Sequence, residues 1–154
     1  MANALVVENA RILDPASGRD SNGAVLVDDG AIIDVVEGAA PGAPANVERI
    51  DAGGLVLAPG LIDMRVFTGE PGFEYRETLK SASEAAAAGG VTSFVMMPDA
   101  NPVIDDAALV DFLLRRARDT AIVNVLPSPA HTKGLKGAAS TAFGLPAQAG
   151  AASF

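Results

Sequence analysis

The chain has 154 residues, of which 49% are hydrophobic and 19% charged, with a formal charge of −8 and no cysteine. Such a mix is globular rather than disordered and long enough for one ordinary core. It excludes disulfides and thiolate metal sites, and its acidic balance offers a nucleic-acid partner no phosphate-neutralising stripe.

The first nine residues hold no basic segment followed by a long apolar core, so no signal peptide is expected. No uninterrupted apolar run approaches the roughly 18 residues of a membrane span. A cytoplasmic protein without a membrane partner is the expectation.

Residues 4–57 read as short strands punctuated by turns. Runs 4–7 and 11–13 flank Glu8-Asn9, and Asp14-Pro15 with Ser17-Gly18 closes the second run. Runs 24–27 and 31–36 are joined by Asp28-Asp29-Gly30, a hairpin signal because Asp and Gly tolerate positive φ. A loop rich in Ala, Pro and Gly fills 38–46, and runs 47–50 and 55–57 bracket Asp51-Ala52-Gly53-Gly54. Strands at this spacing predict a small β-sandwich or half-barrel over residues 1–58.

After Pro59 the rhythm changes. An apolar run over 61–66 follows a Pro-Gly turn and reads as a buried strand. Its carboxyl end is where a parallel barrel presents functional groups. Tyr75, Leu79, Ala82 and Ala86 fall on one face of a helix predicted over 74–88, which Gly89-Gly90 ends with a left-handed cap. A strand over 91–97 stops at Pro98. Asp105 reads as the N-cap of a second helix reaching 118, with Leu109, Leu113 and Arg116 in one stripe. Arg115, Arg116 and Arg118 complement the dipole at that helix's carboxyl end.

A third strand follows over 121–126, then a loop over 128–137, and residues 138–154 show no clear period. The β-α-β-α-β order predicts an α/β fold with a parallel sheet and right-handed crossovers. A closed barrel needs eight strands and about 250 residues. Residues 59–154 are therefore expected to form the first three β-α units of an incomplete TIM-type barrel, a truncated architecture.

Several blocks carry a more specific message. They are Pro59-Gly60-Leu61-Ile62-Asp63, Glu70-Pro71-Gly72, Glu77-Thr78, and Ala85 through Thr92 with its Gly89-Gly90 pair. Met97-Pro98-Asp99-Ala100-Asn101-Pro102-Val103 and Thr132-Lys133-Gly134-Leu135 with Gly137 complete the set. Together, over about residues 6–143, they resemble the dihydroorotase family of the amidohydrolase superfamily. The Met-Pro-x-x-Asn-Pro element is the one that, by this resemblance, separates dihydroorotases from hydantoinases and allantoinases.

The resemblance implies a small β domain, a TIM-type barrel, one or two zinc ions, and ring opening and closure of dihydroorotate in pyrimidine biosynthesis. The family pattern runs Pro-Gly-x-Ile-Asp-x-His-x-His-x-Arg-Glu-Pro-Gly. Here the two metal-binding histidine positions hold Arg65 and Phe67, and the arginine position holds Gly69. By the same resemblance, Asp99 stands where an asparagine would help hold the substrate carboxylate. Asp63, Glu70, Asn101 and Lys133 are retained.

The chemistry decides what these changes mean. Zinc accepts imidazole, thiolate or carboxylate, whereas the Arg65 guanidinium stays protonated and has no acceptor. Phe67 offers no donor atom, and His131 is the only histidine in the chain. No metal, no cofactor and no catalytic residue of the family type is therefore expected. Gly69 removes a bidentate contact to a carboxylate, and Asp99 adds a like charge that repels one.

The remaining positions have simpler readings. Asp63 reads as a strand-end hydrogen-bond acceptor, Asn101 as turn chemistry, and His131 and Lys133 as exposed loop residues. Arg65 is the open case. Its cation either pairs with Asp63 or Asp99 in place of the ion, or stays free.

The expectation is a dihydroorotase-like, non-catalytic chain of pyrimidine biosynthesis. It would act as a scaffold or partner of aspartate transcarbamoylase, or as a truncated remnant, and would be open to self-association. Two alternatives stand beside it: an active zinc-dependent cyclic amidohydrolase, and a metal-free module that binds a small molecule.

Overall fold

The computed structural model describes residues 4–39 and 47–154, which divide into two units, 1–59 and 60–154. In the first unit, β1 (Leu5–Asp14) and β2 (Arg19–Asp28) form an antiparallel hairpin, and β3 (Ala31–Glu37) pairs antiparallel with β2. β4 (Glu48–Asp51) and β5 (Val56–Leu57) both pair parallel with β1. What the sequence reads as the β-sandwich part is, among the described residues, one five-stranded mixed sheet.

The runs 4–7 and 11–13 belong to a single strand. The expected break at Glu8-Asn9 is an irregularity inside β1, where Asn9 adopts φ +56 and the register shifts. Asn tolerates this left-handed geometry, and local bonds hold it there. Asn9 donates its side-chain amide to Asp51 at 2.9 Å and its carbonyl accepts the Gly54 N–H at 2.7 Å. The run 24–27 likewise lengthens to β2, because Arg11 and Asp20 pair across the hairpin and carry polar residues into the ladder. The Asp29-Gly30 hairpin forms with positive φ at both residues, +48 and +76. Of the expected loop 38–46, residues 40–46 lie outside the described residues.

The second unit is built on a parallel three-stranded sheet of order β6 (Leu61–Val66), β7 (Val91–Met96), β8 (Asn124–Pro127). Helices α1 (Leu79–Ala88) and α2 (Ala107–Thr120) provide the crossovers. Phe94, Met96 and Val125 from the sheet pack with Leu79 of α1, with Val110 and Leu113 of α2, and with Ile104. Side chains of this size contribute roughly 1.5–3 kcal/mol each when fully buried, so this cluster is the main source of the unit's cohesion.

Several predicted boundaries move. α1 begins at Leu79 rather than 74, because Thr78 caps it in a reciprocal box with Ser81. Tyr75 consequently lies in a loop, 83% exposed, and not on the helix face. The N-cap of α2 is Asp106 rather than Asp105; its carboxylate accepts the Leu109 N–H at 2.9 Å. Its buried stripe is Val110, Leu113 and Ala117, one residue on from the expected Leu109 and Arg116. The third strand starts at Asn124, since Ala121 still closes α2 by donating to Ala117. The loop 128–137 contains a short 3-10 turn at Lys133–Leu135, and α3 (Gly144–Gln148) lies in the segment that shows no period. Gly90 does supply the expected left-handed residue after α1, with φ +79.

Candidate functional site

The candidate site lies at the carboxyl end of β6 and in the loop that leads from it to α1. Asp63 turns its carboxylate onto the chain: Oδ1 accepts the backbone N–H of Arg65 at 2.9 Å. Asp63 acts as an acceptor inside β6 rather than at its end, satisfied by an amide two residues on. Among the described residues the Arg65 guanidinium forms no ion pair, and the residue is exposed. The pairing of Arg65 with Asp63 or Asp99 is therefore not made. Pairing would have required ordering a long side chain at the surface for a contact worth about 1 kcal/mol or less.

Phe67 is half-buried and has become part of an aromatic group. Its ring centroid lies 6.2 Å from that of Phe73, and the Arg76 guanidinium sits 4.9 Å above its face, a cation–π contact. Phe73 in turn meets Tyr75 edge-on at 6.4 Å. The two positions thus carry a free cation and a packed ring.

The loop beyond Phe67 closes tightly on Gly69. The Phe73 N–H donates to the Gly69 carbonyl at 2.7 Å, and Gly69 adopts φ +72. A Cβ at this residue would lie 2.5 Å from the Glu77 carbonyl oxygen and 2.9 Å from that of Phe73. Any side chain here, an arginine included, requires the loop to open.

Glu70 is buried at 4% exposure. Its Oε2 accepts the Leu79 N–H at 2.9 Å and its Oε1 accepts from Arg116 Nε at 2.6 Å. That contact raises the Arg116 guanidinium above its ordinary value, chiefly through the hydrogen bond and then through the charge of Glu70. Pro71 accepts the Asn101 N–H at 2.9 Å, so the Glu-Pro-Gly loop and the Asn-Pro loop are clasped backbone to backbone. The approach is so close that a Cβ on Gly72 would overlap the Asn101 carbonyl oxygen. Nearby, the Gly72 N–H at 2.9 Å holds the Glu74 carboxyl below its ordinary value.

Asp99 is exposed and forms no ion pair among the described residues. Lys133 is exposed, as expected of a loop cation, but it is not without a partner. Its Nζ donates to the Asp105 carbonyl at 2.8 Å and meets the Asp105 carboxylate at 3.3 Å, while the Gly134 N–H donates to the same carboxylate at 2.7 Å. Asp105 thus fastens the 3-10 turn instead of capping α2. His131 is exposed, with its ring 4.8 Å from that of Phe143.

Sequence reasoning missed Arg76, Asp105 and Arg116 as members of these contacts. Arg116 carried no local signal, because its partner lies 46 residues away.

Zinc does not fit this residue set. Arg65 has no lone pair to offer, Phe67 has no donor, and Asp63 is bonded to backbone. Among the described residues no group of three or more His, Cys, Asp or Glu is placed to hold a metal ion. What the arrangement offers is cation and aromatic surface on a firmly built loop.

Residues 54–154 match the family described as dihydro-orotase-like. The chain is 42% identical over 146 residues to a dihydroorotase of Geobacter sp. (strain M21), covering 95% of this chain and 34% of that protein. It is 45% identical over 148 residues to a dihydroorotase of Solibacter usitatus, again covering 34% of the relative. The chain therefore spans about a third of the length of the curated relatives it matches. Among solved structures, an L-hydantoinase from Arthrobacter aurescens superposes with a TM-score of 0.75 at 24% identity, over 83% of this chain and 28% of that one. A D-hydantoinase from Thermus sp. gives 0.67 at 22%, over 81% and 27%. At these identities the superpositions speak for the fold.

Proposed function

The chain belongs to the dihydroorotase-like family of the amidohydrolase superfamily, and from that premise we propose that it is a non-catalytic member serving pyrimidine biosynthesis as a scaffold. The observation that carries this reading is the pair Arg65 and Phe67 at the end of β6: one is a free cation, the other is packed against Phe73 and Arg76. Neither can hold zinc, and without a metal there is no lowered water pKa and no polarised amide carbonyl.

The substrate-anchoring side agrees. Gly69 lies in a loop with no room for a side chain, and Asp99 contributes a negative charge. A carboxylate-bearing ring would meet no bidentate cation there and one repulsive group.

The surface that remains suits a protein partner, for which aspartate transcarbamoylase is the candidate, in the cytoplasm. No helix among the described residues is long and apolar enough to cross a membrane.

Three measurements on the purified chain test the proposal. Elemental analysis after chelator treatment and dialysis is expected to find far less than one zinc per chain. Calorimetry with millimolar dihydroorotate is expected to show no saturable heat. Co-purification with aspartate transcarbamoylase is expected to exceed that of a control chain carrying substitutions on the exposed face of β6. One tightly held zinc with hydrolysis of dihydroorotate would replace this reading with that of an active cyclic amidohydrolase. Saturable binding without zinc would replace it with that of a binding module.

A further inference from the structure

Glu70 is the one acidic side chain of the second unit that is almost wholly buried. A buried carboxylate is costly unless donors and an opposite charge surround it, so its neighbours reveal what the position is for. Two donors from different elements converge on it. One is the backbone N–H of Leu79, the first residue of α1. That N–H belongs to the first helical turn and has no partner within the helix. The other is Nε of Arg116, on the far half of α2. The carboxylate itself sits in the loop leaving β6, so one side chain touches all three elements around the site.

We infer that Glu70 is the positioning residue of this loop: its carboxylate pins the loop to the first turn of α1 and, through Arg116, to α2. The role is independent of any metal or substrate, and it goes beyond the scaffold reading. It accounts for a glutamate beside two positions whose ligands have been exchanged for Arg65 and Phe67. The pin also holds the start of a segment that clasps the Asn101 loop through Pro71 and carries Phe73 and Tyr75.

The chemistry is demanding. A carboxylate accepts at both oxygens, whereas a carboxamide accepts at one and presents N–H groups at the other. Glutamine at position 70 can therefore satisfy Leu79 or Arg116 but not both.

Amide hydrogen exchange, resolved by residue, tests this on the intact chain. Because the Leu79 amide has no helical partner, its protection reports on Glu70. The neighbouring Ser81 amide is held by the Thr78 hydroxyl at 3.1 Å and serves as the internal control. In Glu70→Ala, Leu79 exchange is expected to accelerate at least tenfold with Ser81 unchanged. In Thr78→Val the pattern should invert. Should Glu70→Ala fail to fold, Arg116→Met carries the test, since Arg116 is partly exposed at its side chain. There Leu79 exchange should rise about threefold or more as the carboxylate loses its second anchor. Equal acceleration at Leu79 and Ser81, or an unchanged Leu79 in both variants, would overturn the assignment.

Discussion

The guanidinium of Arg65 and the phenyl ring of Phe67 offer a metal ion no donor atom, and the loop that follows has no room for a side chain at Gly69. Gly69 and Gly72 make this concrete, since both take positive φ and both face backbone at close range. Gly72→Ala is expected to destabilise the chain by about 3 kcal/mol or more, through strain and overlap with the Asn101 carbonyl. Gly137→Ala is the matched control, with similar φ but open space around its Cβ. It should lose only about 1 kcal/mol. Urea titration of both variants gives the comparison, and equal losses would mean that the clasp has slack.

Acidic residues in the first unit set a pH response whose sign follows from their partners. Arg11 holds the Asp20 carboxyl below its ordinary value of 3.8, mainly by hydrogen bonding. The Ser17 hydroxyl and the Ala16 N–H do the same for Asp14, and Asn9 with the Gly53 N–H for Asp51. A carboxylate whose folded value is depressed stabilises the fold above its unfolded value and loses that stability as pH falls through the folded one. Thermal stability of the first unit should hold from neutral pH down to about 5 and then decline below about 4. Melting followed by circular dichroism at pH 7, 5 and 3 would show it, and 0.5 M salt should blunt the part owed to the Arg11–Asp20 pair.

At the scale of elements, the helices differ from the edge strand in what they ask of each residue. Leu113 of α2 is fully buried among Phe94, Val110 and Ile104. Leu113→Ala is expected to cost about 2–5 kcal/mol in denaturant unfolding. Thr78→Ala removes the side-chain half of the α1 capping box and should cost about 1 kcal/mol. β6 is the opposite case. Leu61, Ile62 and Met64 are 62–66% exposed, although the strand reads as apolar. Ile62→Lys with Met64→Lys should leave stability within about 0.5 kcal/mol of the parent and raise solubility, as measured by the concentration at which light scattering appears.

For the chain taken by itself, the parallel sheet has three strands among the described residues, with β6 and β8 at its edges. Parallel sheets are ordinarily covered on both faces, and free N–H and C=O groups on an edge template association. Added to the exposed apolar residues of β6, this leads us to expect self-association or capture by a partner when the chain is isolated. Chromatography with light scattering should report species above 15.5 kDa. The double lysine variant of β6 should shift them towards that mass. A monodisperse 15.5 kDa species in the parent chain would contradict the expectation.

The sequence by itself determined the order of strands and helices after Pro59, the Asp29-Gly30 hairpin, the left-handed Gly90 and the lack of a metal-donor atom on Arg65 and Phe67. Each of these is written in neighbouring residues: apolar periodicity, turn chemistry, or the presence or absence of a lone pair. Only the tertiary structure decided that Glu70 belongs to Arg116, that Asp105 fastens the turn at Lys133, and that Phe67 lies beneath Arg76. It also decided that α1 starts at Leu79, because the preceding residues wrap Gly69 instead of continuing the helical pattern. The two ion pairs join residues 46 and 28 positions apart, and the Phe67–Arg76 contact forms only because the loop doubles back on Gly69. Their selection depends on which elements pack together and how closely, a property of the assembled core that no local window of sequence contains.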